Sequence, residues 1–240
     1  MPGTILITGG AQRFGRELAL ALANTGYRVV ITYRRERDNL VDLSDAGIRC
    51  LKADFKNADT TQAFVSQAQA EFDSLRAIVH NASDWLPESV EHDPVDVMAI
   101  NWNVHVQAPY LLNISLEEQL LKGAKEYGMA DIIHLTDYVV ERGSSKHIAY
   151  AASKAALHNL TLSFAAKLAP HVKVNSIAPA LLMYRDTDDH HYKEKVARKS
   201  LLPPGPGALE GIQAVNVLLD SRYITGRSLS LDGGRHLKAG

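Results

Sequence analysis

Short runs of apolar, largely β-branched residues alternate along the chain with longer stretches in which apolar positions recur at helical spacing. This alternation is typical of βαβ units that build a parallel sheet. The first predicted helix, 16–26, ends at Gly26. The predicted strands are residues 4–8, 28–33, 48–54, 75–82, 130–137, 172–179 and 227–233. About seven strands predict an α/β fold of the Rossmann type, a doubly wound parallel sheet with helices on both faces.

The chain is predicted to form a single domain, residues 1–240, because no linker, internal repeat or low-complexity tract divides it. Its least regular segment runs from about 181 to 207, is rich in charge and histidine, and ends in PPGPG. A loop of this length in a compact domain is usually functional or mobile. We therefore expect this segment to be a substrate loop.

Charge and composition narrow the choice of partners and of compartment. The 26 basic and 27 acidic residues are spread along the chain, which argues against nucleic acid or a membrane surface as partner and favours a small molecule. The single cysteine, Cys50, excludes an internal disulfide. No apolar run approaches the roughly 18 residues of a membrane span, and the first strand begins too early for a leader to precede it. We expect a cytoplasmic protein.

The first predicted strand runs into a glycine-rich turn, TGGAQRFG at residues 8–15, which opens a helix. Glycines at such a turn let the backbone approach a pyrophosphate, and the helix amides then bind it. The alternative is a tight turn with a structural role alone. The candidate cofactor residues of this turn are Gly9, Gly10, Arg13, Phe14 and Gly15.

The second strand ends in TYRRER, where an acidic residue would bind the adenosine ribose and an arginine would accommodate a 2′-phosphate. Tyr33, Arg34 and Arg35 therefore favour NADPH over NADH. Alternatively, the arginines are an ordinary solvated helix start with Glu36 as counter-charge.

Further cofactor candidates follow the later strands. Asp54 ends the third strand, where its carboxylate would accept from the adenine amine. Small residues after the fourth strand would let the cofactor ribose lie against the backbone. The remaining candidates are Phe55, Asn81, Ala82, Ser83 and Pro179.

Tyr150 and Lys154 stand four residues apart in a helical pattern, so their side chains share one face. Asp137 lies thirteen residues before the tyrosine. The ordered motifs TGxxxxxG, NAS, YxxSK and a terminal DGG resemble the short-chain dehydrogenase/reductase family over essentially the whole chain. The resemblance implies that Tyr150 donates or accepts the proton, and that Lys154 holds the nicotinamide ribose and lowers the tyrosine pKa. It places Asp137 where the family has a serine that polarises the substrate.

Within that family, an arginine in the glycine turn together with an aspartate in the serine position is similar to the pteridine reductases. The resemblance places Trp85 against the pterin ring, although core packing is the alternative for this side chain. It implies a substrate site of Arg13, Ser83, Trp85, Asp137 and Tyr150. The implied activity is NADPH-dependent reduction of dihydropterins, among them dihydromonapterin and dihydrofolate.

The acid beside the tyrosine favours reduction over oxidation. An ammonium at Lys154 lowers the pKa of the phenol, and an ionised Asp137 raises it. Alcohol oxidation needs a tyrosinate base, whereas reduction of a C=N bond needs a proton delivered to nitrogen. We therefore expect hydride from NADPH to reach a ring carbon, and a proton to reach the adjacent nitrogen through Tyr150 and Asp137.

Two other functions stay open: a carbonyl reductase of the 3-oxoacyl type and a non-catalytic dinucleotide-binding sensor. The family often has an asparagine that is joined to the lysine by water, and at this position the chain has His105. Either the alignment is shifted, since Asn101 and Asn103 are near, or the histidine takes the role of the asparagine. The other histidines, His147 among them, are expected to be structural.

The chain shows no metal-ligand spacing. DDHHYKEK at 188–195 matches no closed zinc pattern, since adjacent residues do not share a face, and no metal is expected. Because the family is often tetrameric, we expect a homotetramer. Arg235 and Lys238 in the C-terminal tail are then candidates for contact with a neighbouring subunit's substrate.

Overall fold

The computed structural model describes residues 3–89, 91–184, 187–203 and 207–238. Residues 185, 186 and 204–206 of the predicted substrate loop lie outside the described part of the chain. So do both ends of the predicted domain, 1–2 and 239–240, and residue 90.

The described residues form a seven-stranded sheet in the order β3-β2-β1-β4-β5-β6-β7, and all neighbouring strands pair in parallel. The strands are β1 Thr4–Thr8, β2 Arg28–Tyr33, β3 Arg49–Lys52, β4 Ala77–His80, β5 Ala130–Leu135, β6 Val172–Pro179 and β7 Ser228–Leu231. The predicted fold is confirmed. Several predicted strands were too long at their carboxyl ends, because the polar residues there leave the sheet.

Helices connect the strands throughout. They are α1 Arg13–Asn24, α2 Leu40–Asp45, α3 Ala58–Glu71, α4 Pro94–Trp102, α5 Ala108–Ser115, α6 Glu117–Tyr127, α7 Ile148–Leu168, α8 His190–Ala197 and α9 Leu209–Asp220. A π-helical turn, Asn103–Gln107, joins α4 to α5, and 3₁₀ turns occupy Tyr138–Glu141 and Arg235–Leu237. Helix α8 lies inside the segment predicted to be an irregular loop. Among the described helices, none is both long enough and apolar enough to cross a membrane.

Successive side chains of a strand point to opposite faces of the sheet, and apolar side chains form a core on each face. In β1, Leu6 belongs to the core that includes Phe64 of α3 and Leu112 of α5. Its neighbours Ile5 and Ile7 belong to the opposite core, against α1 and α9. All three β1 side chains are fully buried. The sheet is therefore covered on both sides, and the edge at the carboxyl ends of the strands stays available for a site.

A buried ion network lies at the amino-terminal edge of the sheet. Asp131 at the start of β5 pairs with Arg76, and its carboxylate lies 2.9 Å from the Lys173 ammonium. Arg76 also donates to the Leu219 carbonyl at 2.7 Å, and Lys173 donates to the Leu218 carbonyl at 2.5 Å. The two cations thus bind the last turn of α9, where the helix dipole favours positive charge.

Candidate active site

A cleft of about 1030 Å³ lies at the carboxyl ends of the strands, where the strand order reverses between β1 and β4. Ligands of open α/β sheets bind at this kind of switch point. It is lined by almost all of the predicted site residues: Gly9, Arg13, Phe14, Gly15, Tyr33, Arg34, Arg35, Asp54, Phe55, Asn81, Ala82, Ser83, Trp85, Asp137, Tyr150, Lys154 and Pro179.

The glycine turn after β1 packs too closely for side chains at two positions. A Cβ atom on Gly9, which has φ +67°, would lie 2.8 Å from the Ala82 Cα, and one on Gly15 would lie 2.5 Å from the Gly9 carbonyl oxygen. Gly10 is not among the cleft-lining residues, and its role at the cofactor stays a prediction. A Cβ on Gly10 would lie 2.5 Å from Ile31 of β2, so Gly10 permits packing of the turn against the sheet.

Arg13 at the start of α1 has φ +50°, the left-handed region that glycine prefers. This conformation explains why the position looks like a missing glycine in the sequence. A non-glycine residue held there costs of order 1 kcal/mol, and such strain clusters at functional sites. Gln12, which precedes the helix, gives α1 no side-chain cap, so the first-turn amides are suited to an anion.

Arg34 has a different counter-charge from the one expected. Its guanidinium lies 3.0 Å from the Asp84 carboxylate, which also accepts from the Lys56 ammonium at 2.6 Å. Glu36 instead accepts from the Tyr33 hydroxyl at 3.2 Å. Burial alone would raise the pKa of Asp84, but Lys56 and Arg34 hold it below its ordinary value. No local sequence pattern predicts the pairing of Arg34 with Asp84, because the two residues are fifty positions apart.

The predicted catalytic side chains come together as expected. Asp137 follows β5, and its carboxylate accepts a hydrogen bond from the Tyr150 hydroxyl at 2.8 Å. Lys154, one turn further along α7, donates to the Leu135 carbonyl at 2.7 Å. Its ammonium lies 5.6 Å from the centre of the Tyr150 ring. All three side chains line the same cleft.

The charges of this group favour a protonated phenol. Burial, then the Asp137 charge and hydrogen bond, raise the pKa of Tyr150 well above its ordinary value. Burial also raises the pKa of Asp137. Burial lowers the pKa of Lys154 to about 8, although Asp137 opposes this shift. Asp137 thus acts on the tyrosine pKa in the direction expected of an ionised carboxylate.

His105 lies in the π-helical turn, a kind of distortion that often marks functional sites. Its Nε2 accepts from the Asp84 amide at 3.3 Å and lies 2.9 Å from the Ser83 hydroxyl. Because Nε2 is the acceptor, Nδ1 carries the proton and donates to the Ser153 hydroxyl at 2.8 Å. The ring also packs edge to face against Tyr150, with centroids 5.4 Å apart. Burial, then the Lys154 charge, lower the pKa of His105 well below its ordinary value.

The two asparagines near His105 serve other contacts. Asn101 donates to the Val97 carbonyl within α4, and Asn103 donates to the Lys56 carbonyl. Of these three residues, His105 is therefore the one that contacts Tyr150.

Trp85 lines the cleft with 53 % of its surface exposed, so it is not a core residue. Its ring stacks on His147, with centroids 4.3 Å apart and planes 19° apart. His147, expected to be merely structural, also lines the cleft. Three residues beyond Trp85, the Glu88 carboxylate accepts from the amides of Ile148 and Ala149, both at 2.8 Å. This loop therefore docks on the amino-terminal turn of α7.

The histidine-rich stretch 188–195 contains the N-cap and the first turns of α8. Asp189 caps α8 by accepting from the Tyr192 amide at 2.7 Å. Within the described ranges, no group of three or more His, Cys, Asp or Glu side chains is placed to hold a metal ion.

The sequence matches a family model described as enoyl-(acyl carrier protein) reductase over residues 9–236. Together with the parallel sheet, the glycine turn and the Tyr150/Lys154 pair, this match defines the class of protein. The chain belongs to the short-chain dehydrogenase/reductase family, as its motifs predicted.

Within that class, the chain is similar to bacterial reductases of pterins. It is 50 % identical to the dihydromonapterin reductase of Escherichia coli (strain K12) over 237 residues, which cover 99 % of this chain and 98 % of the relative. The dihydromonapterin reductase of Shigella boydii serotype 4 (strain Sb227) matches to the same extent. Among solved structures, FolM alternative dihydrofolate reductase 1 from Brucella canis, complexed with NADP, aligns with a TM-score of 0.83 and 27 % identity. That alignment covers 98 % of this chain and 95 % of the other.

Proposed function

We propose that this protein is an NADPH-dependent reductase of dihydropterins, converting 7,8-dihydromonapterin to tetrahydromonapterin and reducing dihydrofolate as a second substrate. The observation that carries the proposal is the 2.8 Å hydrogen bond from the Tyr150 phenol to the Asp137 carboxylate inside the cleft. The proposal is also supported by the 50 % sequence identity to dihydromonapterin reductases and by the similarity to the Brucella reductase that was solved with NADP.

The residues present suit NADPH. The uncapped first turn of α1 leaves amides for a pyrophosphate, and Gly9 and Gly15 of the preceding turn line the same cleft. Arg34 and Arg35 line the same cleft at the end of β2 and would hold the 2′-phosphate. When bound, NADPH supplies the hydride. Lys154 would hold the nicotinamide ribose, and Asn81, Ala82 and Pro179, which line the same cleft, would contact the cofactor.

The chain itself supplies the proton. Tyr150 holds a proton at Oη, because its pKa lies well above neutral pH. Reduction of a 7,8-dihydropterin adds hydride at C6 and a proton at the adjacent N5. We assign that proton to Tyr150, with Asp137 as the carboxyl that keeps the phenol protonated and oriented. Lys154, at 5.6 Å from the ring, stabilises the phenolate that remains.

The remaining assignments concern substrate binding. Trp85 offers an exposed ring face for the flat pterin, and stacking on His147 holds that ring in place. Arg13 would bind the cofactor phosphates or the polar edge of the pterin, and Ser83 lines the same cleft. We treat residues 1–240 as one domain, since the sheet is continuous. The homotetramer and the cytoplasmic location stay predictions.

The proposal is tested by following NADPH oxidation by the purified protein. The substrates are dihydromonapterin, dihydrobiopterin, dihydrofolate and a β-keto thioester, and Tyr150→Phe is the variant that lacks the proton donor. We expect turnover of the pterins and a ~10²- to 10⁴-fold lower kcat in Tyr150→Phe. Reduction of the thioester without any pterin would identify a carbonyl reductase instead. Binding of NADPH without oxidation by any substrate would identify a sensor.

A further inference from the structure

Three cationic side chains line one end of the cleft. Lys146 precedes α7, Lys199 follows α8, and Arg235 begins the 3₁₀ turn near the carboxyl terminus. In the part of the chain that the structure describes, none of the three forms an ion pair with an acidic side chain. Like charges gathered in a cleft raise the local concentration of anions there.

The backbone holds these charges at the cleft. The Asp232 carboxylate accepts from the amides of Gly234 and His236 at 3.0 and 3.1 Å, which fixes the turn that carries Arg235. The Gly233 carbonyl accepts from the Leu201 amide at 2.9 Å, which ties this turn to the segment after α8. Arg235 therefore lines the cleft of the chain that carries it, and Lys199 and Arg235 are held on adjoining segments.

Arg235 lies beside the catalytic group. Its guanidinium covers the Tyr138 ring, with Cζ 4.3 Å from the ring centre, and Tyr138 directly follows Asp137. The Arg235 charge also acts on the Asp137 carboxyl. Burial, then the charges of Arg235, Lys195 and Lys146, lower the pKa of Lys199. The charges thus repel one another until an anion binds.

The chemistry of the reaction determines which part of the substrate lies near these charges. In a dihydropterin the substituent is attached to C6, the carbon that receives the hydride, and C6 is bonded to the N5 that receives the proton. With N5 at Tyr150 and Asp137, the substituent starts beside Asp137, and Tyr138 and Arg235 are the next side chains at that wall of the cleft. Asp188 also lines the cleft and limits its positive charge.

We propose that Arg235, Lys199 and Lys146 form a subsite for an anionic group, a carboxylate or a phosphate, at the end of the pterin C6 substituent. This inference rests on the proposed function and names the substrate class more closely. Pterins with a charged substituent gain binding energy there that the uncharged triol of dihydromonapterin does not. Dihydrofolate, with two carboxylates, and a phosphate ester of dihydromonapterin belong to the favoured class.

The subsite is tested with the double variant Lys199→Gln/Arg235→Gln, and Lys125→Gln/Arg222→Gln, which removes two exposed positive charges outside the cleft, serves as the matched control. The quantity measured is the ratio of kcat/KM for a charged pterin to kcat/KM for uncharged dihydromonapterin, at saturating NADPH. Taking the ratio cancels any effect of Arg235 on Asp137 that all substrates share. We expect the ratio to fall about 10-fold in the double variant, through KM, and to stay unchanged in the control. Added salt should lower the wild-type ratio.

Dihydrofolate and the phosphate ester are measured separately. The kcat/KM ratio of each to dihydromonapterin shows whether a carboxylate, a phosphate or both bind at the subsite. Equal ratios in the double variant and the wild type overturn the subsite. Wild-type turnover of uncharged dihydromonapterin reports on the proposed function alone. If no pterin is reduced, binding of folate and of biopterin to the protein with NADP⁺ decides the subsite separately, since only folate affinity should fall in the double variant.

Discussion

Asp137 carries a charge that a catalytic serine lacks. Burial raises the pKa of Tyr150 and lowers that of Lys154, and the Asp137 charge adds to the first shift and opposes the second. In Asp137→Asn both pKa values should fall. The phenol and the ammonium then lose their protons at lower pH, so the alkaline loss of pterin reduction should move to lower pH. We also expect kcat to fall about 10- to 100-fold. The measurement is the pH profile of kcat in wild type and variant.

Asp45→Asn on the exposed face of α2 is the charge control for this experiment. It should reproduce the wild-type profile. An alkaline limb at the same pH in Asp137→Asn would show that the carboxylate does not tune the proton donor.

Arg34 tests the choice of cofactor. It lines the cleft and carries a charge suited to the 2′-phosphate, so Arg34→Ala should lower kcat/KM for NADPH about 10- to 100-fold and leave kcat/KM for NADH little changed. Initial rates with each cofactor at fixed pterin give the comparison. Arg222→Gln, an exposed arginine, should leave the preference intact. An equal loss with NADH and NADPH would mean that Arg34 serves the cleft only by pairing with Asp84.

At the residue scale, motif spacing predicted the side chains whose role depends on type and order, such as Tyr150, Lys154 and Asp137. It missed Asp84 and His147, which line the cleft through contacts with residues distant in sequence. A glycine needed for packing and one needed for ligand approach look alike in a sequence, so the cofactor role of Gly10 stays a prediction.

The loop after β4 and the helix α7 act as one unit through Glu88. Its carboxylate caps two amides of α7, and Trp85 lies on the same loop. Glu88→Ala should lower the free energy of unfolding by about 1 kcal/mol. It should also raise KM for the pterin more than KM for NADPH, because the Trp85 ring loses its support. Urea unfolding and steady-state kinetics measure these effects, and Glu91→Ala is the control. Unchanged stability together with an unchanged pterin KM would rule out this coupling.

Strands β4 and β5 are joined to α5 by a buried polar chain. His80 contacts Asn113 at 2.8 Å, and Asn113 contacts His134 at 3.2 Å. Burial lowers the pKa of His80 to about 4, although the hydrogen bond to Asn113 opposes this, and burial lowers the pKa of His134 well below its ordinary value. These rings are therefore neutral in the folded protein near neutral pH.

The buried histidines predict a loss of stability in acid. Below the ordinary histidine pKa of 6.5, the unfolded chain binds protons that the folded His80 does not. The free energy of unfolding should thus decrease as pH falls from 6.5 towards 4, by about 2 to 3 kcal/mol for His80. Urea titrations at several pH values measure this slope. His80→Asn should flatten it, while His191→Gln, an exposed control, should not. A stability independent of pH in this range would contradict the argument.

At the element scale, periodicity predicted every strand of the sheet, because burial on two faces requires continuous β-branched runs. The π-helical turn at Asn103–Gln107 was not foreseen, since an added residue within a helix leaves no compositional signal. Helix α8 was also missed, because its short, charged sequence lacks an apolar stripe.

In the molecule as a whole, a buried ion network and the cleft lie at opposite edges of the sheet. The ion network of Asp131, Arg76 and Lys173 lies at the amino-terminal edge, and the cleft lies at the carboxyl ends. Asp131→Ala leaves two buried cations without their carboxylate, which should cost about 3 to 5 kcal/mol. Pterin reduction by the folded fraction should be unchanged. Urea unfolding and kcat at low temperature test both parts, with Asp45→Ala as control. A loss of kcat in the folded protein would show that the two edges are coupled.

The sequence by itself determined the fold class, the family and the type of chemistry, because β-strand periodicity, the glycine turn and the Tyr150/Lys154 spacing are local properties. The tertiary structure decided which charges meet. The ion pair of Asp84 with Arg34, the cap of Glu88 on α7 and the contact of Arg235 with the Tyr138 ring join residues far apart in the chain. Such contacts depend on how loops fold over the carboxyl edge of the sheet, and no spacing along the sequence encodes them.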